Sequence, residues 1–203
     1  MKSFIRDFQE QDTPQVIKIY QRAFAEPPWN EAWTAEDVQK DMDKCLAEKN
    51  PIFLVAEVGK AVVGMRWAYE LRPEQFPFLL ITEGEAMYGD ELAIRKEFRG
   101  MGIATRMMRL SLERAYELGY RKFIGRTTAE NAPMLALYDK LGYEDTGERE
   151  KISKKRTSGT VKTDERIYFC KDLEQMETLR GDGKYWMGYD SGEGGCYRNE
   201  GGY

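Results

Sequence analysis

The chain has 203 residues and a net charge of -4, with 41% hydrophobic and 33% charged residues. This length and composition fit one domain with its own core, and the acidic balance disfavours nucleic-acid binding, which depends on basic patches. No stretch approaches the roughly 18 consecutive apolar residues of a membrane span, and no signal-peptide core follows Met1. Three widely separated cysteines argue against a disulfide framework, so we predict a cytoplasmic protein without a membrane partner.

The sequence contains no histidine. Histidine is the usual general base, the usual activator of serine and cysteine nucleophiles and the commonest metal ligand. Its absence excludes Ser-His and Cys-His catalysis and predicts that no metal is bound. Acid–base chemistry in this chain must therefore use carboxylates, tyrosine, lysine, cysteine or water.

Hydrophobic periodicity divides the first half of the chain into strands and helices. Apolar residues recur at helical spacing after residue 12 and again after residue 34, where Thr34 and Asp37 form a capping box. The predicted elements, in chain order, are a strand at 4–6, helices beginning at 12–14 and 34–37, a hairpin of 52–58 and 61–68, an irregular connection at 71–85 and a strand at 85–94.

The second half continues with a helix, a strand, a second helix and two strands. Glycine takes the left-handed conformation that follows a helix, so Gly119 and Gly142 are predicted to end the two helices. The predicted elements are a helix from the glycine turn at 99–104 to Gly119, a strand at 122–125, a helix from Asn131 to Gly142, a short strand beginning at Tyr143 and a strand at 166–170. Residues 149–156 are predicted to be a solvated loop, and residues 176–203 a Gly/Tyr-rich tail after a domain of residues 1–175.

The glycine turn at 99–104 follows the apolar strand residues 92–94 directly. Gly100 and Gly102 allow backbone conformations that side chains block. The first amides of a helix have no intrahelical partner, and the helix dipole favours an anion, so such a turn can bind phosphate. Taken alone, the turn is equally consistent with an ordinary start of a helix.

Three motifs together resemble the GNAT superfamily of acyl-CoA-dependent N-acyltransferases. They are the strand at 90–94, the glycine turn at 97–104 and the segment at 130–143, in which an Asn-Ala-Pro helix start leads through a tyrosine to Leu-Gly-Tyr. The resemblance covers residues 3–173 and is strongest at 88–143. The segment at 24–34 also looks like that of bacterial members related to aminoglycoside 6'-N-acetyltransferases.

The resemblance implies an α+β fold in α/β/α layers, with a mixed, mostly antiparallel sheet flanked by helices. Its fourth and fifth strands would splay apart, and acetyl-CoA would lie in the resulting V. The same resemblance implies which residues bind this cofactor. The pantetheine arm would pair with the backbone of Leu92, Ala93 and Ile94, the pyrophosphate would be held at Arg99, Gly100, Met101, Gly102, Ile103 and Ala104, and Asn131 would contact the cofactor.

Tyr138 is the predicted general acid. Thioester aminolysis expels a thiolate, and a phenol beside the sulfur can donate a proton to it. The alternative is that Tyr138 only packs, since it shares a helix face with Met134 and Leu141. Its place within the motif at 130–143 favours the catalytic role.

A carboxylate, acting directly or through water, is the natural base in a chain without histidine. We prefer Glu91, which lies on the predicted cofactor-binding strand, with Asp90, Glu85 and Glu83 nearby. Strand alternation places Asp90 and Glu91 on opposite faces unless a bulge intervenes. The alternative for Glu91 is an ordinary solvated or salt-bridged carboxylate.

Trp29 and Trp33 flank the break between the first two helices. This region lines the acceptor site in the related folds, so an aromatic wall with Glu26 or Glu31 could receive a cationic amine. Anchoring of this loop to the core is an equally good interpretation.

These inferences predict an acetyl-CoA-dependent N-acetyltransferase that moves an acetyl group directly to a primary amine of a small molecule or a protein. The alternative is a CoA-binding regulatory module or pseudoenzyme on the same fold, without transfer activity. No nucleic-acid partner is expected. The identity of the acceptor stays open, as does the oligomeric state, with a homodimer among the options.

Overall fold

The computed structural model describes residues 3–174, so the predicted tail at 176–203 lies outside the described residues. This part of the chain forms four α-helices and seven β-strands in the predicted order. The elements are β1 (Ser3–Asp7), α1 (Thr13–Phe24), α2 (Ala35–Ala47), β2 (Ile52–Val58), β3 (Ala61–Glu70), β4 (Ala86–Ile94), α3 (Ile103–Glu117), β5 (Lys122–Thr127), α4 (Ala132–Leu141), β6 (Glu144–Lys155) and β7 (Val161–Asp172). The irregular connection between β3 and β4 contains two short 3-10 turns, Pro73–Gln75 and Pro77–Leu79.

The described strands form one sheet in the order β1-β2-β3-β4-β5-β7-β6. Neighbouring strands are antiparallel except β4 and β5, which are parallel. Apolar residues of α1 and α2 pack on one face of the sheet, and those of α3 and α4 pack on the other. The predicted α+β fold, a mixed and mostly antiparallel sheet between two layers of helices, is confirmed.

Strands β4 and β5 are paired over a short distance, from Ala86 and Lys122 to Gly89 and Gly125. Beyond Gly89, β4 continues to Ile94 along β3, while β5 follows β7. We refer to the point after Gly89 and Gly125, where the two strands part, as the fork. It confirms the predicted splay of the fourth and fifth strands.

Strand β4 carries a β-bulge at the fork. Across the pairing with β3, Ala68 faces Gly89 and Trp67 faces Glu91, so Asp90 is the extra residue. A bulge breaks the strict alternation of side chains along a strand. Asp90 and Glu91, which alternation would place on opposite faces, therefore both reach the same cavity.

The prediction that residues 149–156 form a solvated loop is wrong. Most of these residues belong to β6, which pairs with β7, and Arg156 directly after it is buried. Exposed and half-buried residues alternate along β6, as expected for an outer strand with one covered face. The covered face includes charged residues, so a search for alternating apolar residues does not find this strand. It is also much longer than the short strand predicted to begin at Tyr143.

A buried ionic cluster holds the hairpin of β6 and β7 against the segment between α1 and α2. Arg166 donates to Glu31 at 3.1 Å and to Asp164 at 3.3 Å. Arg156 forms ion pairs with the same two carboxylates. All four side chains are at most 7% exposed, and Trp33 also donates to Glu31. The cluster fixes this hairpin in place.

We predict that Glu31→Gln lowers the free energy of unfolding by about 3 kcal/mol, because two buried guanidinium groups then share a single carboxylate. Urea denaturation measures the loss. Glu36→Gln is the matched control, since Glu36 pairs with Lys40 on the exposed face of α2 and costs less than about 1 kcal/mol to neutralise. Equal losses in the two variants would contradict a stabilising role for the buried cluster.

Candidate active site

The glycine turn before α3 has the backbone geometry of an anion cradle. Gly100 and Gly102 have φ angles of 75° and 74°, in the left-handed region that favours glycine. Helix α3 begins at Ile103 with Gly102 at its N-cap position, and no side chain caps it. Its first amides therefore stay available to an anion, whose charge the helix dipole favours.

Arg99 lies next to this turn but is already hydrogen-bonded. Its Nε donates to the carbonyl oxygen of Ile94 at 3.0 Å, and its Nη1 donates to Glu26 at 2.7 Å. Glu26 thus offsets the positive charge of Arg99. The turn offers an anion its backbone amides and the guanidinium group of Arg106, whose Nη1 donates to the carbonyl oxygen of Met101 at 3.3 Å.

Beyond the fork, β4 and β5 are separated by a gap, and the other predicted cofactor-binding residues lie on its two sides. Leu92, Ala93 and Ile94 pair with β3 along one edge of β4, and no described strand pairs with the other edge there. Asn131 lies on the β5 side, where it precedes α4 and its Nδ2 donates to Oγ1 of Thr127 at 3.1 Å. This hydrogen bond joins the start of α4 to the end of β5.

Two polar side chains fill the space over the fork because both residues of its last pair are glycines. Gly89 and Gly125 are direct partners in the register of β4 and β5. A Cβ atom at Gly89 would lie 2.6 Å from Nη2 of Arg66, and a Cβ atom at Gly125 would collide with Oη of Tyr138. A guanidinium group and a phenol thus approach the sheet at the point where its strands part.

Tyr138 is 3% exposed and stacks on Phe169 at a ring distance of 4.8 Å. Its Oη donates to the carbonyl oxygen of Arg126 at 3.4 Å, which is long for a hydrogen bond. Burial raises the pKa of Tyr138, and the positive charge of Arg66 opposes the rise. The phenol therefore keeps its proton near neutral pH. Tyr138 packs, as the alternative interpretation holds, and its hydroxyl group also lies at the fork.

Arg66 is a buried cation on β3. It is 2% exposed, its Nε donates to Oγ of Ser111 at 2.9 Å, and its Cζ lies 5.2 Å from the ring centre of Phe123. Burial lowers the pKa of Arg66, and the groups that oppose this are the phenols of Tyr138 and Tyr143. Arginine stays charged even so, because its ordinary pKa lies above 12.

A cavity of about 490 Å³ opens on the face of the sheet that carries α1 and α2. Its walls come from both helices, from β3, β4 and β5, and from the hairpin of β6 and β7. Trp29 and Trp33, the predicted substrate-binding residues, line it together with Glu31 and both carboxylates of the bulge. The remaining carboxylates considered from the sequence lie outside its walls: Glu26, Glu83 and Glu85.

Glu91 is linked to α1 and α2 through one phenol. The hydroxyl oxygen of Tyr20 lies 3.1 Å from Oε1 of Glu91 and 3.4 Å from Oδ2 of Asp41. A phenol has one proton to donate. Both contacts are therefore hydrogen bonds only when one of the two carboxyl groups carries a proton. Tyr20 thus connects two carboxyl groups in a chain that can share a proton.

The surroundings of Glu91 favour its protonated form. Burial raises the pKa of Glu91 well above its ordinary value, and the negative charge of Asp90 raises it further. Arg126 opposes this rise, whereas Asp41 adds to it. Burial also raises the pKa of Asp41. A raised pKa is expected for carboxyl groups that are removed from water and lie close together.

Asp90 differs from Glu91 in having a cation beside it. Tyr69 donates to Oδ2 of Asp90 at 3.1 Å, and Nη2 of Arg126 lies 3.8 Å from its Oδ1. Arg126 also pairs with Glu150 at 3.4 Å. Asp90 thus has a cation beside it, whereas Glu91 forms no ion pair among residues 3–174.

The sequence alone does not single out several residues of this site, among them Tyr20, Asp41 and Arg66. Tyr20 occupies the apolar stripe of α1, and Asp41 is one of several charged residues on α2. Neither position carries a signal that sets it apart. Arg66 lies between Met65 and Trp67 in an otherwise apolar strand, and a lone charge in such a strand is the one signal that points to it.

Residues 13–143 match the family model described as the Acetyltransferase (GNAT) family. The chain belongs to this family. It is therefore an acyltransferase, and the family's activity is acetyl transfer. No helix within residues 3–174 is long and apolar enough to cross a membrane. The same residues contain no group of three or more histidine, cysteine, aspartate or glutamate side chains that could hold a metal ion.

The fold is similar to that of several solved N-acetyltransferases. A ribosomal-protein-alanine N-acetyltransferase from Brucella melitensis is 22% identical, with a TM-score of 0.65 over 83% of this chain and 99% of that one. A phosphinothricin acetyltransferase from Sinorhizobium meliloti, solved in complex with AcCoA, is 18% identical, with a TM-score of 0.65 over 85% and 89%. An N-acetyltransferase from Staphylococcus aureus Mu50 is 16% identical, with a TM-score of 0.65 over 85% and 99%.

We predict that Gly125→Ala destabilises the protein by about 1–3 kcal/mol, because the new methyl group overlaps the hydroxyl group of Tyr138 and lies 2.9 Å from its Cζ. Adding Tyr138→Phe removes the overlapping oxygen, so the double variant loses less stability than the sum of the single variants. Urea denaturation of the four proteins measures this coupling. Tyr143→Phe combined with Gly125→Ala is the control and should be additive. Additivity in both pairs would contradict the contact.

Proposed function

We propose that the protein transfers an acetyl group from acetyl-CoA directly to a primary amine, with Glu91 as the base and Tyr138 as the acid. The observation that carries this proposal is the bulge at Asp90. The bulge directs the side chain of Glu91 towards the cavity, just after the point where β4 stops pairing with β5. The amine site and the gap for the thioester are thereby adjacent.

The residues around the gap fit acetyl-CoA. The amides at the start of α3 and the left-handed turn at Gly100 and Gly102 suit a diphosphate, because no side chain caps the helix start. The open edge of β4 at 92–94 suits the amide groups of a pantetheine arm. Asn131 would contact the cofactor from the β5 side. When bound, acetyl-CoA supplies an activated acyl carbon and a thiolate leaving group.

Glu91 is proposed to take the proton of the acceptor amine. An alkyl ammonium group with an ordinary pKa near 10.4 is only about one part in a thousand neutral at pH 7, so it needs a base. A carboxylate whose pKa is raised is a stronger base than an ordinary one. The hydroxyl group of Tyr20 holds Glu91 in place and links it to Asp41, which gives the proton a second site.

Tyr138 is proposed to hold the proton that a departing sulfur needs. Its raised pKa keeps the phenol protonated at neutral pH, and its hydroxyl group lies at the fork. The guanidinium group of Arg66 approaches the same pair of glycines and adds a positive charge there. Positive charge in a buried site stabilises a thiolate as it forms.

We predict that Tyr138→Phe lowers kcat by about a hundredfold or more and changes the KM for acetyl-CoA by less than about twofold, since a general acid acts only on the reacting bonds. Release of free thiol from acetyl-CoA, followed across a panel of amines, measures both constants. The matched control is Tyr143→Phe, which removes the neighbouring buried hydroxyl group.

The outcomes separate the two functions considered from the sequence. An unchanged kcat in Tyr138→Phe with the best acceptor would remove its role as the acid. Absence of thiol release with every amine, together with thermal stabilisation of the protein by CoA, would contradict transfer and support a CoA-binding regulatory module.

We also predict that kcat/KM falls on the acidic side at a higher pH than an ordinary glutamate would cause. The base must be ionised to act, and burial and Asp90 raise the pKa of Glu91. Asp41→Asn removes a negative charge that raises this pKa further, so it should move the acidic limb to lower pH. The pH profile of thiol release with one fixed acceptor measures the shift.

The control for this profile is Asp43→Asn, which removes an exposed carboxylate from the same helix and should leave the limb in place. If the acidic limb of the kcat/KM profile stays in place in Asp41→Asn, or moves to higher pH, the assignment of Glu91 as the titrating base is contradicted.

A further inference from the structure

The cavity is lined by acidic and basic side chains that form no ion pair with any described residue. Four of its lining residues form no ion pair within 4.0 Å among residues 3–174: Asp41, Glu91, Lys44 and Lys154. The other charged lining residues are paired, Asp90 with Arg126 and Glu31 with Arg166. A ligand in the cavity therefore meets two carboxyl groups and two ammonium groups that form no ion pair with the described residues.

Both tryptophans of the cavity already contact a cation of the chain. Nζ of Lys154 lies 4.5 Å from the ring centre of Trp33, and Cζ of Arg166 lies 4.5 Å from that of Trp29. Aromatic rings of α1 also contact both indoles. An ammonium group of a ligand at this wall would meet the positive charges that now lie on the rings.

Lys154 lies on a different wall from Asp41 and Glu91, whereas Lys44 lies on α2 with Asp41. Asp41 and Glu91 are linked by Tyr20 beside the fork, where the amine must react. Lys154 comes from β6, on the wall formed by the hairpin of β6 and β7. Asp41, Glu91 and Lys154 line the same cavity of about 490 Å³, so one small molecule can contact the carboxyl groups and the ammonium group together.

We propose that the acceptor is a small amine that carries an anionic group, a carboxylate, phosphonate or phosphate, on the same molecule. Its ammonium group binds at Asp41 and Glu91, and its anionic group binds Lys154, which lies on β6. The volume of about 490 Å³ fits a small molecule. A polyamine or an aminoglycoside would instead bring a further cation to the wall that holds Lys154 and Arg166. The inference rests on the proposed acetyl transfer and narrows its acceptor.

The experiment compares matched amines in the thiol-release assay with acetyl-CoA. Each set contains an amino carboxylate, its carboxamide and the diamine of the same length. The sets begin with glycine and increase in chain length, and aminoalkyl phosphonates are tested beside them. We expect the best anionic acceptor to exceed its carboxamide by about tenfold or more in kcat/KM, and the diamine to be the poorest. In Lys154→Met, the kcat/KM for the carboxylate divided by that for the carboxamide should fall towards one, and Lys154→Arg should restore this ratio.

Lys151→Met is the matched control, because Lys151 lies on the same strand, is exposed and does not line the cavity. The ratio of kcat/KM between carboxylate and carboxamide should be the same in Lys151→Met as in the unaltered protein. Thiol release in which carboxamides or diamines equal or exceed the anionic amines would overturn the acceptor class and leave acetyl transfer standing. A ratio that Lys154→Met leaves unchanged would overturn the assigned site. Absence of release with every acceptor would overturn acetyl transfer, and the acceptor class with it.

Discussion

The pairing of β4 with β5 stops after Gly89 and Gly125, and the rest of the site depends on this interruption. Past that pair, β4 has an edge that no described strand uses, which leaves room for an extended ligand. Because both residues lack a Cβ atom, Arg66 and Tyr138 can approach the fork from one face. The bulge at the same place turns a second carboxylate towards the other face.

The sheet thereby separates the proposed acid, Tyr138, from the proposed base, Glu91. On the face of α3 and α4, a buried phenol lies beside the cation of Arg66. On the face of α1 and α2, Glu91 lies in a cavity with further carboxyl groups, and burial raises its pKa. The proposed proton donor and the proposed proton acceptor thus lie on opposite faces of one fork, so each can approach a thioester in the gap from its own side.

The order of the elements and the need for glycine at positions 100 and 102 could be predicted from the sequence, because helix periodicity and turn chemistry are local properties. Strand β6 could not, since its covered face is partly charged and owes its burial to residues distant in the chain. The place of Glu91 in the cavity depends on a bulge, which sequence alternation does not reveal. The link from Tyr20 to Asp41 depends on how two helices pack on the sheet, and no local pattern records it.

The central claim is that Glu91 is a base whose affinity for protons is raised by its position beside the fork. The most direct measurement is a titration of its side-chain carboxyl carbon by 13C NMR, with the signal assigned by its loss in Glu91→Gln. We expect a midpoint well above the ordinary value of about 4.3 for glutamate, in step with the acidic limb of the activity profile. A midpoint near that ordinary value would contradict this claim.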